Sequence, residues 1–125
     1  MWLPPGGHIG KNETPDEAVV REVQEETGLD IELYRKEELV RNKSGNVIAQ
    51  LAVPFYANVH IAGDHNHACL YYLCATQSDH VMLSKESTGY RWVTPAELAD
   101  ARDIPQDVKS IGTLAFETYK EKQSR

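Results

Sequence analysis

The first patterned stretch of the chain follows an opening rich in proline and glycine. Trp2-Leu3-Pro4-Pro5-Gly6-Gly7 reads as the end of a strand running into a tight turn. Prolines exclude a helix there, and paired glycines permit backbone angles that other residues resist. A helix is predicted over roughly 15–27. Thr14 is placed as its N-cap, Pro15 suits the first helical position, and Glu17 completes a capping box with Thr14. Such a cap contributes about 1 kcal/mol. Asp16 and Glu17 complement the positive end of the helix dipole. Ala18, Val19, Val20 and Val23 supply apolar contacts toward a core, and Gly28 stops the helix in a left-handed turn.

Beyond Gly28 the pattern turns to strands. Ile31–Leu33 is short and alternating. Residues 38–41, then 47–61, carry β-branched and aromatic side chains around a Lys43-Ser44-Gly45-Asn46 turn. Asp64-His65-Asn66 reads as a polar loop, 69–76 as a buried strand and 90–93 as another short strand. Thr94 caps a second helix beginning Pro95-Ala96-Glu97-Leu98, and an amphipathic helix is predicted over roughly 106–121 with a charged tail. Strands with helices packed on them predict an α/β (α+β) sandwich. Without repeats or linkers, 125 residues suit one domain spanning 1–125.

Charge narrows the function classes. A net charge of -6 argues against a nonspecific grip on nucleic acid, which needs a basic stripe. It leaves room for a small phosphate substrate, because a bound cation can supply positive charge. Cys69 and Cys74 fall on opposite faces of the predicted 69–76 strand, so no disulfide is expected between them. That fits a reducing, cytoplasmic compartment. No basic segment followed by an apolar stretch marks a signal peptide, and no apolar run is long enough to span a bilayer.

The candidate chemistry lies on the first helix. Glu22, Glu25 and Glu26 stand three and four residues apart, so their carboxylates share one side. Like charges at that spacing cost a helix roughly 0.2–0.5 kcal/mol per pair. Arg21 offsets part of this by pairing with Glu25, and a hard divalent cation such as Mg²⁺ would offset more. Gly6 and Gly7 let the preceding loop bring backbone carbonyls close. A Glu-Val-Gln-Glu-Glu run alone reads as a solvated acidic face, since glutamate favours helices for no catalytic reason.

The spacing around the run changes that reading. Gly7, Glu13, Arg21, Glu22, Val23, Glu25, Glu26, Gly28 and Leu29 fill every defined position of Gly-x5-Glu-x7-Arg-Glu-U-x-Glu-Glu-x-Gly-U, where U is a bulky aliphatic. The segment resembles the Nudix box. The resemblance implies a Nudix-like α/β/α sandwich with a mixed β-sheet. It implies a hydrolase using Mg²⁺ or Mn²⁺ to cleave a phosphoanhydride bond in a nucleoside-diphosphate-type substrate.

By that resemblance Glu22, Glu25 and Glu26 match the metal-binding glutamates, and the Gly6 carbonyl matches a further ligand. Glu13 corresponds to an auxiliary metal- or water-positioning group. Arg21 corresponds to the arginine that orients the glutamates, and Glu26 is the candidate general base. Lys85-Glu86 before Tyr90-Arg91-Trp92-Val93 looks like the family's loop ahead of a Trp-containing strand, which makes Glu86 a candidate metal ligand or base. On its own it reads as an exposed loop acid. His65-Asn66-His67 resembles a His-x-His segment of some members, implying contact with substrate phosphate or base. As bare residues these histidines read as polar loop positions, and no partner set has zinc-site spacing. Trp2, Phe55, Tyr56, Tyr72 and Trp92 include candidates for base stacking, though each reads first as core.

Nudix domains usually carry one or two strands before the Leu-Pro-Gly-Gly stretch, and this chain starts almost at it. The resemblance is therefore to an N-terminally short member. A missing strand would leave an unpaired edge, and a homodimer is one way to pair it. Two alternatives belong to other classes: a non-catalytic nucleotide-sensing module, and an isomerase of the isopentenyl-diphosphate type. The latter wants a catalytic cysteine, whereas Cys69 and Cys74 read as small apolar groups. The resemblance admits nucleoside triphosphates, ADP-ribose, dinucleoside polyphosphates, coenzyme A and others as substrates. Residues 30–45 show no convincing proline or tyrosine marker for ADP-ribose or dinucleoside polyphosphates, and a nucleoside triphosphate or related nucleotide is the default expectation.

Overall fold

The computed structural model describes residues 1–34, 45–47 and 49–123. The elements run α1 (Pro15–Thr27), β1 (Ile31–Leu33), β2 (Tyr56–Ala62), β3 (His65–Tyr71), β4 (Cys74–Thr76), α2 (Pro95–Asp100) and α3 (Gln106–Gln123).

Helix α1 begins and ends where local chemistry dictates. The Thr14 hydroxyl accepts from Glu17 N at 3.1 Å, and the Glu17 carboxylate accepts from Thr14 N at 3.0 Å. At the other end Gly28 adopts φ 74°, and its N–H reaches the Gln24 carbonyl at 2.8 Å. A side chain there would be strained by that angle and would meet Met82 at 3.2 Å. Ala18 and Val23 face the core, while Val20 is exposed. Val20 lies two residues, about 200°, around the helix from Ala18, so the two cannot share the core-facing side.

Asp16 does more than complement the dipole. It is buried, and its Oδ2 accepts from the Ala52 backbone N–H at 2.9 Å. The first turn of α1 thereby anchors the segment that leads into β2. Ala52 is buried there with the other small core residues.

Among the described residues the strands pair antiparallel in two separate ladders. β1 pairs with β4, with Ile31 opposite Thr76 and Leu33 opposite Cys74. β2 and β3 form a hairpin, with Tyr56 opposite Tyr71 and His60 opposite His67, closed at Gly63-Asp64. Several expected boundaries move. The 47–61 strand begins only at Tyr56, because Pro54 has no N–H to donate to a ladder. The 64–66 loop shrinks to a two-residue turn, and His65 and Asn66 enter β3. The 69–76 strand is two strands. The chain changes ladders across Tyr71-Tyr72-Leu73, where the Tyr71 carbonyl accepts from Phe55 N and the Leu73 carbonyl accepts from Tyr34 N, each at 2.9 Å. Cys69 and Cys74 thus lie on different strands, as free thiols.

Among the described residues, 90–93 join no ladder. Side chains hold them instead. The Trp92 indole donates to the Asp79 carbonyl at 3.1 Å, and Arg91 pairs with Asp103 at 3.0 Å. Trp92 and Tyr56 are exposed rather than core. Residues 38–41, with Lys43 and Ser44 of the expected turn, lie outside the described residues.

Helix α2 repeats the capping box with Thr94 and Glu97. It buries Leu98 against α3 beside Gly112. α3 ends two residues beyond the expected position, and its Tyr119 meets Tyr34 edge to face at 6.0 Å. Among the described residues no helix is long and apolar enough to cross a membrane.

Candidate active site

The acidic side of α1 faces the glycine loop that precedes it. Gly6 N–H donates to Glu26 Oε2 at 3.3 Å. Gly7 packs directly on Glu22, with no room for a side chain between them: a Cβ would stand 2.7 Å from Oε1 and closer still to the rest of the carboxylate. Farther along, Gly10 N–H donates to Glu13 Oε1 at 2.7 Å. Residues 6–13 therefore wrap the helix face on which the acids sit.

Arg21 ties loop and helix together. Its Nε and Nη2 grip the two oxygens of Glu13 at 2.7 and 2.9 Å, a bidentate pair. Nη1 reaches Glu22 at 2.8 Å and Glu25 at 3.2 Å, and Nη2 also reaches the His8 carbonyl at 3.0 Å. The expected pairing of Arg21 with Glu25 is present, but it is the longest of these bonds. One guanidinium faces three carboxylates, with Glu26 one turn beyond Glu22, so the face retains a negative excess that favours a cation.

The electrostatics follow from this geometry. Hydrogen bonds from Arg21, then from the Gly10 N–H, hold the Glu13 carboxyl down to about 2. Hydrogen bonds to Glu13, then to Glu22, raise Arg21 above its usual value. A depressed carboxyl stabilises the fold above its unfolded value and loses that contribution as pH falls through its folded value. The Glu13–Arg21 clamp is therefore expected to persist below pH 4.5, the ordinary value, and to release near pH 2. NMR titration of the Glu13 side-chain carboxyl reads this directly. A midpoint near 4.5 in the intact protein would refute the clamp, and Arg21→Ala is expected to move the midpoint up toward that value, with the Gly10 N–H bond remaining.

Other expected site residues gather less closely. The 82–84 segment docks on the C-terminal end of α1, where Met82 N donates to the Thr27 carbonyl at 2.8 Å and Ser84 N to the Glu26 carbonyl at 3.2 Å. Glu86 lies two residues past that contact, exposed. His65 and His67 stand on β3, and the His67 ring meets His8 of the glycine loop edge-on at 5.3 Å. His8 was not among the expected site residues, because it occupies one of the undefined box positions and only the loop's path brings it there.

The donors present are carboxylate oxygens, the kind a hard divalent cation takes, and they share one helix face beside a backbone loop. Glu22 and Glu25 are turned onto Arg21 and Glu26 onto Gly6, so coordination would need their side chains to swing inward. Among the described residues no three His, Cys, Asp or Glu side chains already converge as an ion-holding group.

A NUDIX domain model matches residues 1–112. The chain belongs to the NUDIX family. It is 28% identical over 99 residues to a "MutT-like protein" of Streptomyces ambofaciens, an alignment covering 79% of this chain and 51% of that protein. A shorter stretch of 31 residues is 53% identical to an "8-oxo-dGTP diphosphatase" of Proteus vulgaris, covering 25% of this chain and 28% of that one. This NUDIX chain thus spans about half the length of its Streptomyces relative. The crystal structure of a NUDIX-family hydrolase from Clostridium perfringens matches with a TM-score of 0.80 at 28% identity, covering 94% of this chain and 81% of that one. The NUDIX-like α/β fold expected from the box is therefore the fold observed.

Proposed function

We propose that this NUDIX protein is a hydrolase that cleaves a phosphoanhydride bond in a nucleoside-diphosphate-type substrate with Mg²⁺ or Mn²⁺. The observation that carries the reading is the packing of the 6–13 loop onto the acidic face of α1, with Arg21 bonded to Glu13, Glu22 and Glu25 at once. The preferred substrate is a nucleoside triphosphate or related nucleotide. The short, closely similar stretch shared with the Proteus diphosphatase supports that choice.

Glu22, Glu25 and Glu26, with the Gly6 carbonyl and Glu86, would hold the cation. When bound, it would polarise a phosphoryl oxygen and lower the pKa of the attacking water. The protein's own groups do the rest. Arg21 orients Glu22 and Glu25, and Glu13 fixes Arg21 from the loop side. Glu26 would accept the water's proton as the new P–O bond forms and the bridging P–O bond breaks. His65 and His67 would contact the substrate, and the His67 ring meets His8 of the loop.

The working unit in this reading is a single domain over 1–125 in the cytoplasm. Pairing of two copies has a structural motive. Val59, Ile61 and Leu70 share one face of the β2–β3 hairpin and are all exposed, Ile61 by 85%.

The test is a phosphate-release screen over nucleotides with Mg²⁺ and Mn²⁺. Turnover that requires the cation and stops on chelation is the expected result. Turnover indifferent to chelator would overturn the metal reading. Nucleotide binding without turnover would replace the hydrolase with a sensing module.

A further inference from the structure

Four of the five histidines lie on the β2–β3 hairpin or on the glycine loop that meets it. His65 and His67 alternate along β3, so they share a face of the hairpin. His60 stands directly opposite His67 in register and lies on that same face. His8 reaches the group from the glycine loop, edge-on to His67. Cys69, the next position on this face of β3, lies with its sulfur 3.9 Å from the His67 carbonyl.

Two contacts inside the group point to a ligand. His65 Nε2 and His67 Nε2 face each other at 2.9 Å, with their rings 4.8 Å apart. On its other side, His65 Nδ1 lies 2.9 Å from Asp64 Oδ1. A carboxylate there can only accept, so Nδ1 of His65 carries a proton, and the two facing Nε2 atoms share one more, a proton that a cation bound between them would displace. A carboxylate bonded to the far nitrogen of an imidazole is the arrangement that orients histidine ligands toward metals.

We propose that His65 and His67 form a chelating site for a late first-row divalent cation of the Ni²⁺ or Cu²⁺ class, with Asp64 orienting His65. Two imidazole nitrogens held about 2.0–2.1 Å from one ion at a right angle lie about 2.9 Å apart, whereas tetrahedral zinc wants about 3.4 Å. The observed spacing suits neighbouring positions of a square-planar or octahedral shell. Imidazole donors also discriminate against Mg²⁺, which takes oxygen. Water completes the shell, since His65 is well exposed. The His-x-His spacing is visible in the sequence, whereas the bond from Asp64 to His65 and the approach of the two Nε2 atoms appear only in the folded hairpin. The site stands independently of the hydrolase reading.

The test uses the intact chain and Cu²⁺ alone, without nucleotide. Calorimetry is expected to show a bound ion, and electron paramagnetic resonance to show nitrogen hyperfine structure from two imidazoles. His65→Ala and His67→Ala are each expected to weaken binding at least about tenfold, and Asp64→Asn severalfold, because its loss frees the ring to rotate. His80→Ala, outside the β2–β3 hairpin, is expected to bind as wild type. Circular dichroism checks that each variant is folded, which the exposed position of the rings favours. A tenfold excess of Mg²⁺ is expected to leave Cu²⁺ binding unchanged. Binding that survives the double His65→Ala/His67→Ala variant, or that Mg²⁺ displaces, would overturn the proposal.

Discussion

Glu25→Gln is expected to lower metal-dependent nucleotide turnover at least roughly a hundredfold, the scale of a lost positioned catalytic group, while leaving the protein folded. The two halves of this expectation have separate grounds. Glutamine keeps the shape of the side chain but cannot carry the charge a cation needs. The side chain is 55% exposed and accepts from Arg21 at 3.2 Å. Exposed pairs of that kind contribute little to stability, from about 0.2 to 1 kcal/mol. The melting temperature should therefore stay near wild type while kcat/KM falls with either Mg²⁺ or Mn²⁺. Full turnover in the variant would remove Glu25 from the site.

Gly7→Ala is expected to cost activity on a similar scale through a different route. The added methyl would stand 2.7 Å from Glu22 Oε1 and closer to the remainder of that carboxylate. Glu22 is the flexible partner, so the side chain yields and the fold survives. Yielding also breaks the 2.8 Å bond from Arg21 and displaces a carboxylate assigned to the cation. A misplacement of about 1 Å near a reacting centre can cost about a hundredfold. Gly89→Ala is the control: a Cβ there meets only Trp2, at an ordinary 3.9 Å. Steady-state kinetics with thermal melts separates the outcomes. Wild-type kcat in Gly7→Ala would mean that the loop does not hold Glu22 where the chemistry needs it.

The two capped helices show how far local reading reaches. Thr14 with Glu17 and Thr94 with Glu97 satisfy each other's backbone and side chain across three residues. Nothing outside those residues is required, so both helix starts were legible. The same holds for Gly28, whose left-handed angle closes α1 on Gln24. The strands were legible as extended stretches but not as partners. A run of apolar and β-branched residues carries no mark of where a chain leaves one ladder for another, as it does across Tyr71-Tyr72-Leu73. Nor does it show that Trp92 and Arg91 would hold residues 90–93 by side chains instead of a ladder.

The candidate site divides in the same way. The spacing of Glu22, Glu25 and Glu26 places them on one helix face by periodicity alone, and the box around them led to the family that the domain match shows. Arg21 with Glu25 follows from the same periodicity. Only the folded chain decides that Arg21 holds Glu13 more closely than Glu25, that Gly7 presses on Glu22, and that Asp16 is buried against Ala52. It likewise brings His8 to His67. The reason is the range of the interactions. Caps and helix faces are settled between residues three or four apart, where the backbone geometry is already known. Loop against helix and strand against strand are settled by which distant surfaces meet, and that depends on the path of the whole chain.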